Sequence, residues 1–297
     1  MKALVLNSKK LSSVTVIFVM MMSSPVFHSC NPEVEEGVRK KDLVKDVELV
    51  TDYGTIVFRL SDETPLHRNN FIRLVNQGFY DSLLFHRVIN NFLVQTGDPD
   101  SKGAPTGSNL GAADLPYTIP AEFSPGLYHR RGAINAARND NPARASSSTQ
   151  FTIIQGRTYT DSTLNAAEAR INNWLAENRV INNPDNKALF DLRNDLMRRR
   201  PENDSLSIVR NMIRVLTEAD LAITPPYRIP EAHREIYRTI GGAAHLDQNY
   251  TVFGQVVKGM EVVDSIAGVQ TNRSDRPLED VRIITARMIR RRDYQDQ

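Results

Sequence analysis

The sequence predicts a mainly β protein, a closed antiparallel β-barrel with flanking helices and a helical insertion. Two observations support this fold class. Short apolar runs alternate with turn-rich stretches over residues 46–156 and again over 242–297, a pattern typical of a barrel. Between them, residues 157–241 carry apolar side chains at helical spacing instead. The chain has 297 residues, which is enough to bury a sizeable core.

The first thirty residues have the pattern of an export signal. Basic residues precede the apolar run 14–22, which is too short to span a bilayer, and small residues follow it. The segment ends at Cys30, the only cysteine of the chain, and it resembles a bacterial lipoprotein signal. We therefore expect Cys30 to carry lipid and to anchor the protein to a membrane of the cell envelope, on the periplasmic side or at the cell surface. Cleavage near Ser24 and an uncleaved anchor are the alternatives.

Residues 31–45 are rich in Glu, Lys and Asp and predict a flexible spacer. The formal net charge of the whole chain is only +2, so nothing suggests nucleic acid as a partner. The six histidines do not show the spacing of metal ligands, and no Gly-rich phosphate loop is present. The sequence therefore predicts neither a metal nor a cofactor.

The barrel elements can be followed along the chain. Residues 47–51 and 55–60 form two β-rich runs around a turn with Gly54, which predicts a hairpin. Thr64 is placed to cap a helix that has Pro65 at its first position and ends near Gly78. Further strands are predicted by the apolar runs 83–88, 92–96, 132–136, 150–154, 250–256 and 281–286.

The helical insertion contains three apolar stripes and a final short helix near 230–240. The stripes begin behind potential N-caps at Asp161 or Ser162 and at Asn203 or Asp204, and a weaker one ends before Pro201. These segments are short and amphipathic, with roughly balanced charge. Packing on the barrel is therefore favoured over dimerisation or partner binding.

Three motifs occur in a fixed order. The first, within residues 79–98, contains Phe85-His86-Arg87-Val88-Ile89 and continues to Gln95 and Asp98. The second is Thr149-Gln150-Phe151-Thr152-Ile153, and the third begins at Leu246-Asp247 and ends in Val252-Phe253-Gly254. Together they resemble the signature of cyclophilin-type peptidyl-prolyl cis/trans isomerases. The resemblance covers residues 47–156 and 242–288 and implies a cyclophilin-like barrel that acts on proline-containing polypeptides.

The resemblance also implies roles for individual residues. Arg87 would be catalytic, because a charged donor aimed at the prolyl nitrogen stabilises only the twisted amide, and Gln95 would orient it or bind substrate. The substrate-binding residues would be His86, Phe92, Leu93, Arg138, Phe151, Leu246 and Tyr250. Taken singly, these aromatic side chains would be ordinary core residues and Arg87 a surface charge.

Some positions depart from the family pattern. Thr152 replaces a second Phe, which predicts a smaller and more polar pocket wall, and His245 stands where many relatives have Trp. Asn90 and Asn91 replace a Pro-Gly pair, a change that a turn accepts readily. A second hypothesis is a weakly catalytic chaperone or peptide-binding module that uses the same pocket and the helical insertion. The presence of both Arg87 and Gln95 favours the isomerase.

Overall fold

The computed structural model describes residues 33–199 and 204–294, so the predicted signal and Cys30 lie outside the described residues. The strands are β1 Glu33–Glu35, β2 Val38–Arg39, β3 Lys45–Thr51, β4 Gly54–Leu60, β5 Arg87–Ile89, β6 Leu93–Thr96, β7 Thr118–Ile119, β8 Ala133–Ala136, β9 Ser146–Ser147, β10 Phe151–Ile154, β11 Val252–Lys258 and β12 Ile283–Arg290. The helices are α1 Pro65–Asn76, α2 Asp161–Asn182, α3 Lys187–Arg199, α4 Ser205–Ile223, α5 Glu231–Thr239 and α6 Met260–Ala267. Within these ranges, no helix combines the length and apolar character that crossing a membrane requires.

Eight strands form one curled antiparallel sheet in the order β12-β3-β4-β11-β8-β10-β6-β5. The predicted hairpin is confirmed as β3 and β4, with Thr51 opposite Gly54. The predicted closure of the barrel is not found among the described strands, because no ladder joins the edges β5 and β12. One isolated bridge between Leu84 and Arg282, and a 2.8 Å hydrogen bond from the Ser82 N–H to the Ile283 carbonyl, link the two edges instead. The result is a curled half-barrel.

The main core lies inside the curl, where α1 packs against the sheet. The ring of Phe71 on α1 lies 5.5 Å from Phe58, 5.1 Å from Phe151 and 4.7 Å from Tyr80, measured between ring centroids. All four side chains are at most 3% exposed. Burial of aromatic side chains of this size contributes most of the stability of such a core. This core therefore gives a rigid base to the strands that carry the candidate active site described below.

Helix α1 begins at Pro65 as predicted, but its cap differs from the prediction. Thr64 occupies the N-cap position, and its buried hydroxyl makes no cap hydrogen bond. The carboxylate of Glu122 accepts hydrogen bonds from the backbone N–H groups of Leu66 and His67 at 3.1 and 3.0 Å instead. A side chain that lies 55 residues away from His67 thus satisfies the first turn of the helix.

Residues 33–45 lie in the segment predicted as a flexible spacer, and they contain short elements of which β2 contacts α1. β1 and β2 form a small hairpin, and Val38 is completely buried. Asp42 is also buried, and its carboxylate binds Arg39 and Lys45 at 3.1 and 2.9 Å. One buried valine and one paired carboxylate hardly change the composition of a segment, so the composition of residues 31–45 does not indicate these contacts.

Helices α2 to α5 fall within residues 157–241, where the sequence predicts helices. α2 and α5 join the barrel through an apolar cluster that includes Leu164, Ile171, Tyr237 and Ala244. Glu168 on α2 is buried, accepts a hydrogen bond from the Ile229 N–H at 3.0 Å and pairs with Arg234 on α5, also at 3.0 Å. These contacts fix α2 against the barrel beside the site described next.

Candidate active site

A row of polar side chains crosses the face of the sheet opposite the core, on four neighbouring strands. In the ladders, Arg87 on β5 faces Gln95 on β6, Gln95 faces Thr152 on β10, and Thr152 faces Asn135 on β8. Residues directly opposite one another in a ladder share a face of the sheet. All four line one cavity of about 550 Å³, which we call the main cavity.

Arg87 lies at the rim of the main cavity and is held at two points. Its Nη1 donates a hydrogen bond to Gln95 Oε1 at 3.4 Å, and its Nε lies 3.5 Å from Asp275 Oδ2. The Val88 N–H donates to the carbonyl of Asp275 at 2.8 Å, which places that loop along β5. A guanidinium has five N–H groups, so these contacts fix its plane and leave donors for a ligand.

Gln95 is itself oriented by a further glutamine. Its Nε2 donates to Gln150 Oε1 at 3.0 Å, and Gln150 Nε2 donates to the carbonyls of Ala113 and Gly111 at 2.8 and 3.2 Å. Because the amide nitrogen of Gln95 is engaged by Gln150, its oxygen faces Arg87. A relay of hydrogen bonds therefore runs from fixed backbone carbonyls to the guanidinium.

Apolar side chains form the floor of the main cavity. Leu93 and Leu246 are buried, and Phe92 and Tyr250 are partly buried in the same apolar cluster. All four line the cavity beside Arg87. An apolar recess with a charged donor at its rim is suited to a prolyl ring whose amide nitrogen faces the donor.

Arg138 borders the main cavity, two residues after the end of β8. Its side chain donates from Nε to the carbonyl of Asn249 at 3.0 Å and from Nη2 to Asn249 Oδ1 at 2.8 Å, and it lies 5.1 Å from the ring centre of Tyr250. Within the described chain, the backbone N–H and carbonyl of Arg138 form no hydrogen bond. These backbone groups are available to pair with a peptide.

Two histidines in the main cavity are held in the neutral form. His86 is buried, and neither ring nitrogen has a hydrogen-bond partner. Burial lowers the pKa of His86 to about 4, and the nearby cations Arg276 and Arg87 act in the same direction. Burial also lowers the pKa of His245 to about 4, helped by Arg170. Neither imidazole is charged at neutral pH.

The structure brings together most of the predicted site residues but places Phe151 elsewhere. Phe151 is 1% exposed, and its ring packs in the core on the opposite face of β10. Its neighbour Thr152 lines the main cavity and donates from its hydroxyl to Asn135 Oδ1 at 2.5 Å. Thr152 is therefore the pocket wall, and this wall is small and polar, as predicted.

Other residues of the site were not predicted. Gln150 stands inside the second motif, so its place in the relay could have been inferred from the neighbouring strands. Asp275 comes from a loop that carries no motif. Arg170 and Trp174 on α2 also line the main cavity, and their position depends on how the helices pack. Within residues 33–199 and 204–294, no three His, Cys, Asp or Glu side chains are grouped so that they could hold a metal ion.

Comparison with known proteins identifies the class of enzyme. A family model described as "Cyclophilin type peptidyl-prolyl cis-trans isomerase/CLD" matches residues 46–173 and 231–288. The chain therefore belongs to the cyclophilin-type peptidyl-prolyl cis-trans isomerase family, and it is an isomerase of that type. The matched residues include both strands that carry Arg87 and Gln95 and the Leu246 motif. Residues 174–230 lie outside the match.

Two curated relatives are similar over most of this chain. A proposed peptidyl-prolyl cis-trans isomerase of Staphylococcus aureus (strain COL) is 27% identical over 252 residues, which cover 84% of this chain and 92% of that protein. A proposed bifunctional phosphatase/peptidyl-prolyl cis-trans isomerase of Streptococcus pyogenes serotype M6 is 29% identical over 243 residues. That alignment covers 80% of this chain but only 37% of the streptococcal protein.

Among solved structures, a cyclophilin-type isomerase of Cryptosporidium parvum aligns with a TM-score of 0.47 and 17% identity, covering 82% of this chain and 97% of that one. A second crystal structure of the same protein, obtained in the presence of the dipeptide Ala-Pro, aligns with a TM-score of 0.46.

Proposed function

We propose that the protein isomerises X-Pro bonds of exported or envelope proteins, and that Arg87 is its catalytic residue. The catalytic role is assigned to Arg87 because Gln95 and Asp275 hold its guanidinium at the rim of an apolar recess. The export pattern of the first thirty residues supports the proposed location of the substrates.

The chemistry needs no covalent step. Rotation about a peptide C–N bond has a barrier of about 18–20 kcal/mol, because that bond is partly double. When the amide twists, the lone pair localises on the prolyl nitrogen, and a charged N–H donor at that point stabilises the twisted form more than either planar form. Leu93, Leu246, Phe92 and Tyr250 would hold the ring while the preceding carbonyl rotates, and the free backbone groups of Arg138 would hold the chain.

The test is isomerisation of an Ala-Pro peptide by the wild type and by Arg87→Ala. We expect Arg87→Ala to lose about 100-fold in kcat/KM, about 2.7 kcal/mol at about 1.4 kcal/mol per tenfold. Arg87→Lys keeps the charge but not the planar fork, so it should recover only part of the activity. Arg290→Ala is the matched control, because Arg290 is an exposed arginine of β12 that does not line the main cavity.

The same assay separates the two hypotheses made from the sequence. A weakly catalytic peptide-binding module would give equal and slow rates for the wild type and Arg87→Ala, with peptide binding unchanged. That result would show that Arg87 is not the catalytic residue.

We also propose that Cys30 is lipidated and anchors the protein in the cell envelope. The support is the signal-like segment that ends at this only cysteine of the chain. Mass spectrometry of the mature N-terminus tests the proposal. We expect lipid on Cys30 at the first position, and Cys30→Ser should release the protein from membranes. A mature chain that begins upstream of an unmodified Cys30 would contradict lipidation without affecting the isomerase.

A further inference from the structure

A second cavity of about 690 Å³ opens beside the main cavity, and we call it the side cavity. Arg138, Trp174 and Tyr250 line both cavities, so the two are continuous along one surface. One wall of the side cavity is the barrel segment 138–144, and the other is formed by α2 and α3. A peptide bound in the main cavity can therefore continue into the side cavity.

Trp174 forms the boundary between the two cavities. It is only partly buried, and the guanidinium carbon of Arg170, one helical turn earlier, lies 4.5 Å from the centre of its indole ring. Residues 174–230 lie between the two stretches that the family model matches. Trp174 and the α3 wall thus belong to an internal segment that the family model does not match.

Positive charge dominates the two cavities. Their lining includes five arginines, namely Arg87, Arg138, Arg144, Arg170 and Arg193. It includes only two carboxylates, Asp140 and Glu177. Asp140 is 89% exposed and 3.7 Å from Arg138, so solvent weakens its effect.

Three of these guanidiniums are incompletely paired. Arg144 donates to the carbonyl of Gln248 at 2.7 Å and lies over the ring of Phe123, but no carboxylate of the described residues pairs with it or with Arg170. Burial and the neighbouring Arg138 lower the pKa of Arg144, as expected for a cation without a counter-charge. Arg193 is 91% buried, and its Nη1 pairs with Glu177 Oε1 at 3.5 Å, but its Nε has no hydrogen-bond partner.

We propose that the side cavity and its boundary with the main cavity, where Arg170 lies against Trp174, form a substrate subsite for acidic side chains that flank the proline, so that the enzyme selects X-Pro bonds in acidic polypeptide segments. The proposal rests on the isomerase function proposed above and adds a substrate class to it. An extended chain advances about 3.4 Å per residue, so residues within a few positions of the proline reach an adjoining cavity. A carboxylate in the side cavity would supply the counter-charge that Arg144 lacks, and one at the boundary with the main cavity would supply it for Arg170.

The experiment compares short peptides that carry Glu, Gln or Lys at one of the three positions before or after a single proline. Exchange NMR with the full chain measures kcat/KM without an auxiliary protease, which would have its own sequence preference. At the best position we expect the Glu peptide to exceed its Gln counterpart about tenfold at low salt. The preference should shrink as salt is added, because Arg170 is exposed and Arg144 is only partly buried.

Variants assign the preference to this subsite. Arg170→Gln and Arg144→Gln should each lower the Glu/Gln ratio, and the double variant should bring it to about one, whereas Arg170→Lys should retain most of it. Arg214→Gln is the control, since Arg214 is an arginine of α4 that lines neither cavity. The chain has one tryptophan, so the emission of Trp174 should report binding of the Glu peptide at lower concentration than the Gln peptide.

The outcomes distinguish the two proposals. A Glu/Gln ratio close to one at every position, or a ratio unchanged in both arginine variants, would overturn the acidic subsite while the effect of Arg87→Ala stands. Loss of the Arg87→Ala effect with a preserved binding preference for Glu peptides would overturn the catalytic role alone.

Discussion

The phenol of Tyr237 on α5 donates a 2.7 Å hydrogen bond to Oδ2 of Asp247, the residue that follows the pocket side chain Leu246. The other carboxylate oxygen of Asp247 accepts from the backbone N–H of His129 at 2.9 Å and lies 2.8 Å from His129 Nδ1. Tyr237, Asp247 and His129 are each at most 2% exposed. A helix from the region predicted as an insertion therefore stabilises the segment that forms the pocket floor.

The first prediction concerns this contact. Tyr237→Phe removes one hydrogen bond from a buried carboxylate, so the free energy of unfolding should fall by about 2 kcal/mol. Tyr128→Phe is the control, because the Tyr128 ring stacks on His233 and its hydroxyl has no hydrogen bond within the described chain. Urea denaturation of the two variants measures the difference. Equal stability of both would mean that the Tyr237 hydroxyl contributes nothing.

The second prediction concerns Gln150 as a positioning residue. Gln150→Leu removes the acceptor for Gln95 Nε2, so Gln95 and then Arg87 lose their fixed orientation. We expect kcat to fall about tenfold, about 1.4 kcal/mol, with KM changed by less than about twofold. The exposed Gln270→Leu should leave both constants unchanged.

A double variant tests whether Gln150 acts through Arg87. If it does, Gln150→Leu should cause no further loss in an Arg87→Ala background. Additive losses would show that Gln150 affects the reaction by another route.

The site was largely predictable because its residues follow the geometry of strands. Arg87 and Gln95 come from the first motif and Thr152 from the second, more than fifty residues later, and antiparallel pairing brings them into one row. The same geometry explains the misplaced Phe151. Adjacent residues of a strand point to opposite faces, so Phe151 and Thr152 could not both line one pocket.

The remaining features depend on contacts between distant segments. No local pattern indicates that Glu122 caps α1 or that α2 brings Trp174 to the main cavity. The helices of residues 157–241 could be predicted from their periodicity, but periodicity does not determine where a helix packs. Thr64 shows that a local pattern does not determine a contact either. It has the residue type and the position of an N-cap, but its side chain makes no capping hydrogen bond.

The third prediction concerns Glu122. Burial alone would raise the pKa of its carboxyl, but hydrogen bonds from the His67 side chain and from the His67 and Leu66 N–H groups outweigh burial and lower it. Glu122→Gln should therefore cost about 1 kcal/mol of unfolding free energy at pH 7. Because the folded-state pKa is lowered, this stabilisation is present at neutral pH and lost as the pH falls through the lowered pKa.

Urea denaturation of the wild type and Glu122→Gln at several pH values measures this dependence. The two free energies should converge at acid pH, below the ordinary carboxyl pKa of 4.5. A constant difference down to the lowest accessible pH would contradict a charge-dependent cap. Glu63→Gln, at an exposed position before α1, is the control for a general effect of charge.

The last prediction concerns the pH dependence of catalysis. His86 and His245 line the main cavity, and burial lowers both pKa values from 6.5 to about 4. Since Arg87 stays charged and both imidazoles stay neutral, kcat/KM should be constant between about pH 5.5 and 8. Between pH 6.5 and 4 the unfolded chain binds protons at these two rings and the folded chain does not. The free energy of unfolding should therefore decline as the pH falls through this range, while the folded enzyme stays active.

Exchange NMR of a neutral Ala-Pro peptide measures the rate, and the ring signals of His86 and His245 report protonation in the same samples. A rate that titrates near pH 6.5 together with one of these rings would show that a histidine charge takes part in catalysis.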